Sequence, residues 1–211
     1  MKTKRVPRVT IQRMAVYVQA LEAMLQDDLQ VVSSEGLAAA CNVNSSQIRK
    51  DLAYFGEFGV RGVGYYIKDL LTAMREYLGI NRKWNCALVG VGNLGRALLR
   101  HKQLAQKGFL IVAAFDCDPF KIGEVVAGHE IFCTRRLKEM KQGLGIEIGM
   151  IATPPERAQR ATNHLIEAGV KGIINFAPAI VHVPSDTVID YVDFSQNLIT
   201  LAFQLSSNPS P

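Results

Sequence analysis

Apolar residues recur at spacings of three and four through Ile11, Met14, Val18, Leu21 and Leu25, which predicts an amphipathic first helix of about four turns. Ser33 or Ser34 is placed to cap a second helix that turns Leu37, Ala38 and Cys41 inward, and "CNVN" breaks it. Asn44 or Ser45 caps a third, whose buried edge is Ile48, Leu52 and Phe55. From Trp84 short apolar runs alternate with helical patterns. "CALVG" and "FLIVAAFD" read as strands on either side of a helix in "VGNLGRALLRHKQLAQ". "IEIGMIAT", "GIINFA" and "VIDYVDF" are further strands, with a helix in "PERAQRATNHLIEAG" after the first. The tail "DFSQNLITLAFQLSS" is helical in period but apolar on two faces. Phe194, Leu198, Leu201 and Leu205 form one, and Ile199, Ala202 and Phe203 the other. Such a helix needs burial on more than one side, against a dimer partner or against its own chain.

This pattern divides 211 residues into three parts: 1–83, all helix and turn; 84–193, alternating strand and helix; and 194–211, the terminal helix and tail. Hydrophobic residues make up 48% and charged residues 20%, enough to fill a core and too ordered a balance for a disordered chain. Charge sharpens the division. Residues 1–83 carry 12 basic against 8 acidic side chains, whereas 84–211 carry 12 against 11. The excess begins with Lys2, Lys4, Arg5, Arg8 and Arg13, and makes a polyanion a candidate partner for the first part. Cys41, Cys86, Cys117 and Cys133 form no C-x-x-C pair and lie in apolar segments, as reduced thiols do. Gln19 and Glu22 interrupt the apolar start, so it reads as a helix with a basic leader rather than a signal peptide. No run approaches the roughly 18 apolar residues of a membrane span, and the expected location is the cytoplasm.

If Ile48, Leu52 and Phe55 face the core, Ser45, Ser46, Gln47, Arg49 and Lys50 point outward at the start of the third helix. A DNA recognition helix needs this arrangement: Gln and Arg suit base edges, Ser and Lys suit phosphates. "GEFGVRGVGYY" then sets Gly56, Gly59, Gly62 and Gly64 around Arg61, a tight hairpin whose Arg61-Gly62 tip can reach the minor groove. Ordinary surface charge is the competing reading for Arg49 and Lys50 alone. The order of three helices and a glycine-arginine hairpin is more specific.

In the second part Gly90, Gly92 and Gly95 follow a strand and open a helix, and Asp116 ends the next strand 21 residues after Gly95. In that context Gly90 permits the tight turn, Gly92 lets backbone approach a pyrophosphate, and Gly95 lets helix and strand pack. Val91, Asn93 and Leu94 complete the turn, and the helix N-terminus receives the anion. Asp116 suits the adenosine ribose hydroxyls and repels a 2′-phosphate; with "CDPF" before Lys121, NADH and NAD+ are the expected cofactors. Thr153-Pro154-Pro155 and the turn around Phe176 end strands and face the cofactor. His101 falls about two turns into the glycine-turn helix, on the cofactor side. His164 reads as a surface or helix-packing residue, and His129 and His182 lie in loops or strand edges without a carboxylate nearby. No base stands out as catalytic, and little chain remains for a substrate domain. The expected fold is therefore α/β: an N-terminal winged helix-turn-helix domain and a C-terminal Rossmann-type, doubly wound parallel sheet. A small NAD-dependent oxidoreductase with a basic N-terminal domain is the competing function, and a module for coenzyme A or an adenylate a third.

Over nearly its whole length the chain resembles the Rex family of bacterial redox-sensing transcriptional repressors. The likeness runs through "QIRKDLAYFGEFGVRGVGY", "LVGVGNLGRAL", "FDCDPFKIG", "KGIINFAP" and "VDF". It implies a homodimer that binds a palindromic double-stranded DNA operator, swaps its C-terminal helices between subunits, and releases DNA when NADH is high relative to NAD+. Arg49, Lys50 and Arg61 match the DNA-contacting helix and wing; Gly90, Gly92, Gly95 and Asp116 match the cofactor site. Asp193 in "VDF" resembles an acid near the junction of cofactor and DNA-binding domains. His101 stands where family members often carry Tyr.

Overall fold

The computed structural model describes residues 6–207, so Lys2, Lys4 and Arg5 lie outside the described residues. The chain forms two compact units, residues 1–82 and 83–211.

In the first unit the helices are α1 (Arg8–Gln26), α2 (Ser34–Ala40), α3 (Ser45–Leu52) and α4 (Ile67–Tyr77). Capping follows the local chemistry. The Ser33 hydroxyl accepts from Gly36 N at 3.0 Å and the Asn44 carboxamide from Gln47 N at 2.8 Å, each satisfying a first-turn amide. Asn42, at φ 52°, ends α2 in the left-handed conformation that Asn tolerates. Strand β1 (Val31–Val32) pairs antiparallel with β2 (Tyr65–Tyr66), and between α3 and β2 a small hairpin closes through reciprocal Val60–Gly64 backbone bonds. The expected wing is there. The β1–β2 pair and α4, whose Ile67, Leu70, Leu71 and Met74 seal the core, were not legible from the helix pattern alone. Two details of that pattern are corrected. Ile11 is 44% exposed, and Thr10 and Tyr17 take the buried face of α1; Phe55 lies beyond the end of α3 and is only partly buried.

The second unit is a seven-stranded sheet of order β5-β6-β4-β3-β7-β8-β9. Its strands are β3 (Trp84–Val89), β4 (Phe109–Asp116), β5 (Val125–Val126), β6 (His129–Cys133), β7 (Ile148–Ile151), β8 (Gly172–Asn175) and β9 (Val188–Tyr191). All are parallel except β5, which pairs antiparallel with β6 at one edge. Alternation along β3 sends Ala87 and Val89 to one face and Cys86 and Leu88 to the other, so both faces carry a core. α5 (Asn93–Arg100), α6 (Lys102–Gln106), α7 (Leu137–Gly143) and α8 (Pro155–Glu167) accompany the sheet. The chain leaves β3 toward β4 on one side and reaches β7 on the other. That reversal opens a crevice at the C-terminal ends of β3 and β7.

Three expectations change here. The helix after the glycine turn stops at Arg100: His101, at φ −82° and ψ 84°, breaks it before α6. The β5–β6 hairpin and α7 fill residues 117–147, where no element was expected. The terminal helix α9 (Phe194–Ser207) buries none of its residues, with Phe194, Leu198, Ile199, Leu201, Phe203 and Leu205 all more than half exposed. Burial of this helix by its own chain is thereby overturned.

Candidate nucleotide cleft and nucleic-acid interface

The turn after β3 is built by three glycines with three different reasons. Gly90 has φ +99°, and a Cβ there would lie 2.6 Å from the Ala152 carbonyl oxygen. A Cβ on Gly95 would lie 2.1 Å from the Gly90 carbonyl oxygen, so helix and turn touch only without one. At Gly92 a Cβ meets nothing within 4 Å. That openness leaves room for a ligand to approach the backbone. The first helical bond of α5 runs from Arg96 N to the Gly92 carbonyl, so the amides of Asn93, Leu94 and Gly95 begin the helix without an intrahelical acceptor.

Asp116, 5% exposed, closes β4 beside this turn. Its Oδ2 accepts from Val91 N at 2.8 Å and Lys121 Nζ at 3.1 Å, and its Oδ1 from Cys117 N and Asp118 N. Burial alone would push this carboxyl up; the Val91 and Asp118 amides and the Lys121 ammonium outweigh it and hold it below its ordinary value. Lys121 is the residue sequence reasoning set aside. The Asp118 side chain accepts from Phe120 N, the chain turns back through the Lys121 N to Asp118 carbonyl bond, and the ammonium returns to Asp116.

Gly90, Gly92, Asp116, Thr153 and Pro154 line one cleft of 390 Å³. Val91 is fully buried behind it, and Asn93 and Leu94 start α5. Phe176 ends β8 with its amide bonded to the Ile151 carbonyl, and its side chain packs into the core. His101 is exposed and is not among the residues that line this cleft. Asp193 is also outside the lining; its carboxylate accepts from Ser195 N and Oγ and so caps α9, which holds its pKa down. The cleft adds Arg135, Arg157, Arg160 and His164 to the expected set. The three on α8 share the cleft face of that helix with Ala161, a three-to-four spacing visible in the sequence but without an assigned side. His164 is therefore a cleft residue, not merely a packing one.

In the first unit the helix expected to recognise DNA, α3, is anchored by a carboxylate that the sequence pattern did not single out. Asp51, 1% exposed, receives Arg13 Nε at 2.6 Å and Nη2 at 2.7 Å, Tyr17 OH at 2.8 Å, Gln47 Nε2 at 2.9 Å and Thr10 Oγ1 at 3.3 Å. Burial raises its pKa, and the bonds from Arg13, Tyr17 and Gln47 more than reverse the effect. This cluster pins α1 to α3. Of the side chains expected to point outward, Gln47 is engaged with Asp51, and Arg49 donates to Ser34 Oγ at 2.8 Å and approaches Glu35 Oε1 at 3.4 Å; Arg13 of the basic start is also engaged with Asp51. Ser46 donates to Asn44 at 2.6 Å, and Ser45 begins α3. Lys50 is exposed on α3, and Arg61 with Gly62 (φ +81°) forms the tip of the hairpin. Ser33, Ser34, Glu35 and the hairpin together wall a groove of 480 Å³.

Comparison with known proteins covers both units. Residues 5–53 match the family model described as "Putative DNA-binding protein N-terminus", and residues 81–179 the one described as "CoA binding domain". The redox-sensing transcriptional repressor Rex of Maridesulfovibrio salexigens is 60% identical over 98% of this chain and 99% of its own. The repressor of the same name from Syntrophobacter fumaroxidans is 46% identical over 98% and 99%. Among solved structures, RSP in complex with β-NAD+ and operator DNA has a TM-score of 0.91 at 31% identity, covering 97% of this chain and 94% of that one. RSP in complex with β-NADH has a TM-score of 0.87 at 29% identity, covering 97% and 96%. The two curated relatives are named repressors. On near-complete coverage at up to 60% identity, the chain belongs to the Rex family of redox-sensing transcriptional repressors.

Proposed function

We propose that the protein is a DNA-binding repressor that reads the NADH/NAD+ ratio in its cleft and releases a palindromic operator when NADH binds. The observation that carries the reading is the glycine cradle, open at Gly92 and flanked by Asp116, in the same chain as a capped helix-turn-helix with a glycine-arginine wing. The dinucleotide pyrophosphate sits on the first turn of α5 and the adenosine ribose beside Asp116. Lys50 and Arg61 contact DNA directly together with Ser45 at the start of α3, while Ser46, Gln47 and Arg49 act from hydrogen bonds they already hold within the unit. No helix among the described residues is long and apolar enough to cross a membrane, and an operator-binding role assigns the protein to the cytoplasm.

The two cofactors differ by one positive charge and by the planarity of the nicotinamide. Each shifts the protein only by its differential affinity for the DNA-competent and released states, and a swing from 1:99 to 99:1 takes about 5.5 kcal/mol. The exposed apolar α9 pairs with a second copy and exchanges between subunits, which gives the two recognition helices their half-site spacing. Asp193, next to α9, adjusts that arrangement. The test is operator binding titrated with NADH at several NAD+ levels and one stated salt concentration. Affinity should fall as the ratio rises; equal affinity with NADH, with NAD+ and with neither would refute the switch.

A further inference from the structure

The face expected to meet DNA carries an acid. Glu35, in the first turn of α2, stands exposed in the wall of the groove completed by Ser33, Ser34 and the hairpin around Arg61. Among the described residues it is the one carboxylate in that wall. Its own backbone amide and the Ser34 hydroxyl hold its carboxyl below the ordinary value, so it is ionised at neutral pH. A carboxylate turned toward a polyanion opposes binding to every sequence alike. Its contacts show what it does instead. Ser34 Oγ donates to Glu35 Oε1 at 3.2 Å, and Arg49 Nη1, from α3, donates to Ser34 Oγ at 2.8 Å and lies 3.4 Å from Glu35 Oε1. Nε and Nη2 of Arg49 have no partner among the described residues. These two donors share the other edge of the planar guanidinium, spaced to meet the O6 and N7 acceptors of a guanine.

We propose that Glu35 is a positioning residue for sequence reading: with Ser34 it anchors Nη1 of Arg49, so that the free Nε and Nη2 edge addresses a guanine in each half-site. The proposal rests on the repressor reading above and deepens it by naming how a base pair is chosen. As a surface ion pair, Glu35 and Arg49 add little stability. As a geometric restraint they fix one corner of a long side chain. Released from that restraint, the guanidinium is drawn to the nearest phosphate, a contact that holds DNA and carries no sequence information. The acid therefore lowers affinity for DNA in general and raises the difference between right and wrong sequences.

In the experiment the full chain, with NAD+, selects duplexes from a pool with randomised half-sites. Each selected base pair is then changed singly, and affinities are read at several salt concentrations beside a duplex of unrelated sequence. In Glu35→Gln, discrimination at one G·C pair per half-site should fall by about fivefold or more, while affinity for the unrelated duplex rises. The salt slope on the selected duplex should steepen by about 0.9 per half-site, one added phosphate contact. A damaged fold lowers both affinities, so the opposed changes separate positioning from folding. In an Arg49→Ala background, Glu35→Gln should leave discrimination at that pair where Arg49→Ala alone sets it. Further loss there would show that Glu35 reads a base by itself and overturns the positioning role. Unchanged discrimination in Glu35→Gln, or an equal drop on both duplexes, overturns this proposal alone. Failure of the wild-type chain to select any duplex over the unrelated one overturns the repressor reading, and this proposal with it.

Discussion

Gly92 and Gly95 are three positions apart and fail for opposite reasons when given a methyl group. Gly95→Ala puts a carbon 2.1 Å from the Gly90 carbonyl oxygen, a backbone atom that moves only with the turn. Its expected result is a destabilised second unit, by about 2 kcal/mol on the scale of overpacking. Gly92→Ala meets nothing and should melt like wild type, yet lose NADH affinity by roughly tenfold or more because the methyl occupies the pyrophosphate approach. Calorimetry and NADH fluorescence separate the two; unchanged NADH affinity in Gly92→Ala would show that the ligand keeps away from this backbone. Asp51 carries a second prediction. Its folded pKa lies below the unfolded value, so the stability it contributes is full above about pH 4 and is lost as pH falls through the folded value. Asp51→Asn should cost the first unit up to about 3 kcal/mol near pH 7, a deficit that narrows below about pH 4. A pH-independent deficit in thermal unfolding would remove ionisation from the account. Residues of these two kinds differ in how far the sequence displays them. The glycines keep fixed short spacings around one turn and Asp116 ends the next apolar strand, so they are legible. Asp51 meets Arg13 across 38 positions, and a 3.6-residue period marks it only as a polar site on a helix.

At the scale of elements, legibility follows local signals. α2 and α3 are capped where Ser33 and Asn44 predict, and β3, β4, β7 and β8 are apolar runs buried from both faces. α5 ends at Arg100 with no Pro or Gly to announce it, so His101 is misplaced by a purely periodic reading. The β5–β6 hairpin is two and five residues long, too short for periodicity to register. α9 is the opposite case: its two apolar faces are plain in sequence, and the structure leaves both uncovered. Each leucine buried fully is worth about 1.5–3 kcal/mol, so covering Leu198, Leu201 and Leu205 with a second copy would supply much of the association energy of the proposed dimer. Leu198→Asp combined with Leu205→Asp should convert a dimer to monomers in sedimentation equilibrium while NADH still binds. A variant that stays dimeric would assign the subunit contact to another surface.

For the whole molecule the decisive quantity is a coupling free energy, because the nucleotide cleft belongs to one unit and the recognition helix to the other. Linkage makes that coupling reciprocal. If NADH weakens operator affinity by some factor, saturating operator must weaken NADH affinity by the same factor, whatever the path between the sites. Typical couplings of 1–3 kcal/mol correspond to about 5–150-fold. NADH titrated into the free protein and into the operator complex should therefore give dissociation constants whose ratio equals the ratio of operator affinities with and without NADH. NAD+, which differs by a single charge on the ring, should show a ratio nearer to one or inverted. Salt is the control, since ionic strength shifts operator affinity through phosphate contacts of the first unit without entering the ratio at fixed conditions. Unequal ratios at one salt concentration would mean that the NADH effect on DNA arises outside this cleft, from a second nucleotide site or from a change in assembly state. Equal ratios in wild type that collapse to one in the α9 variant would place the coupling in the dimer rather than in either unit alone.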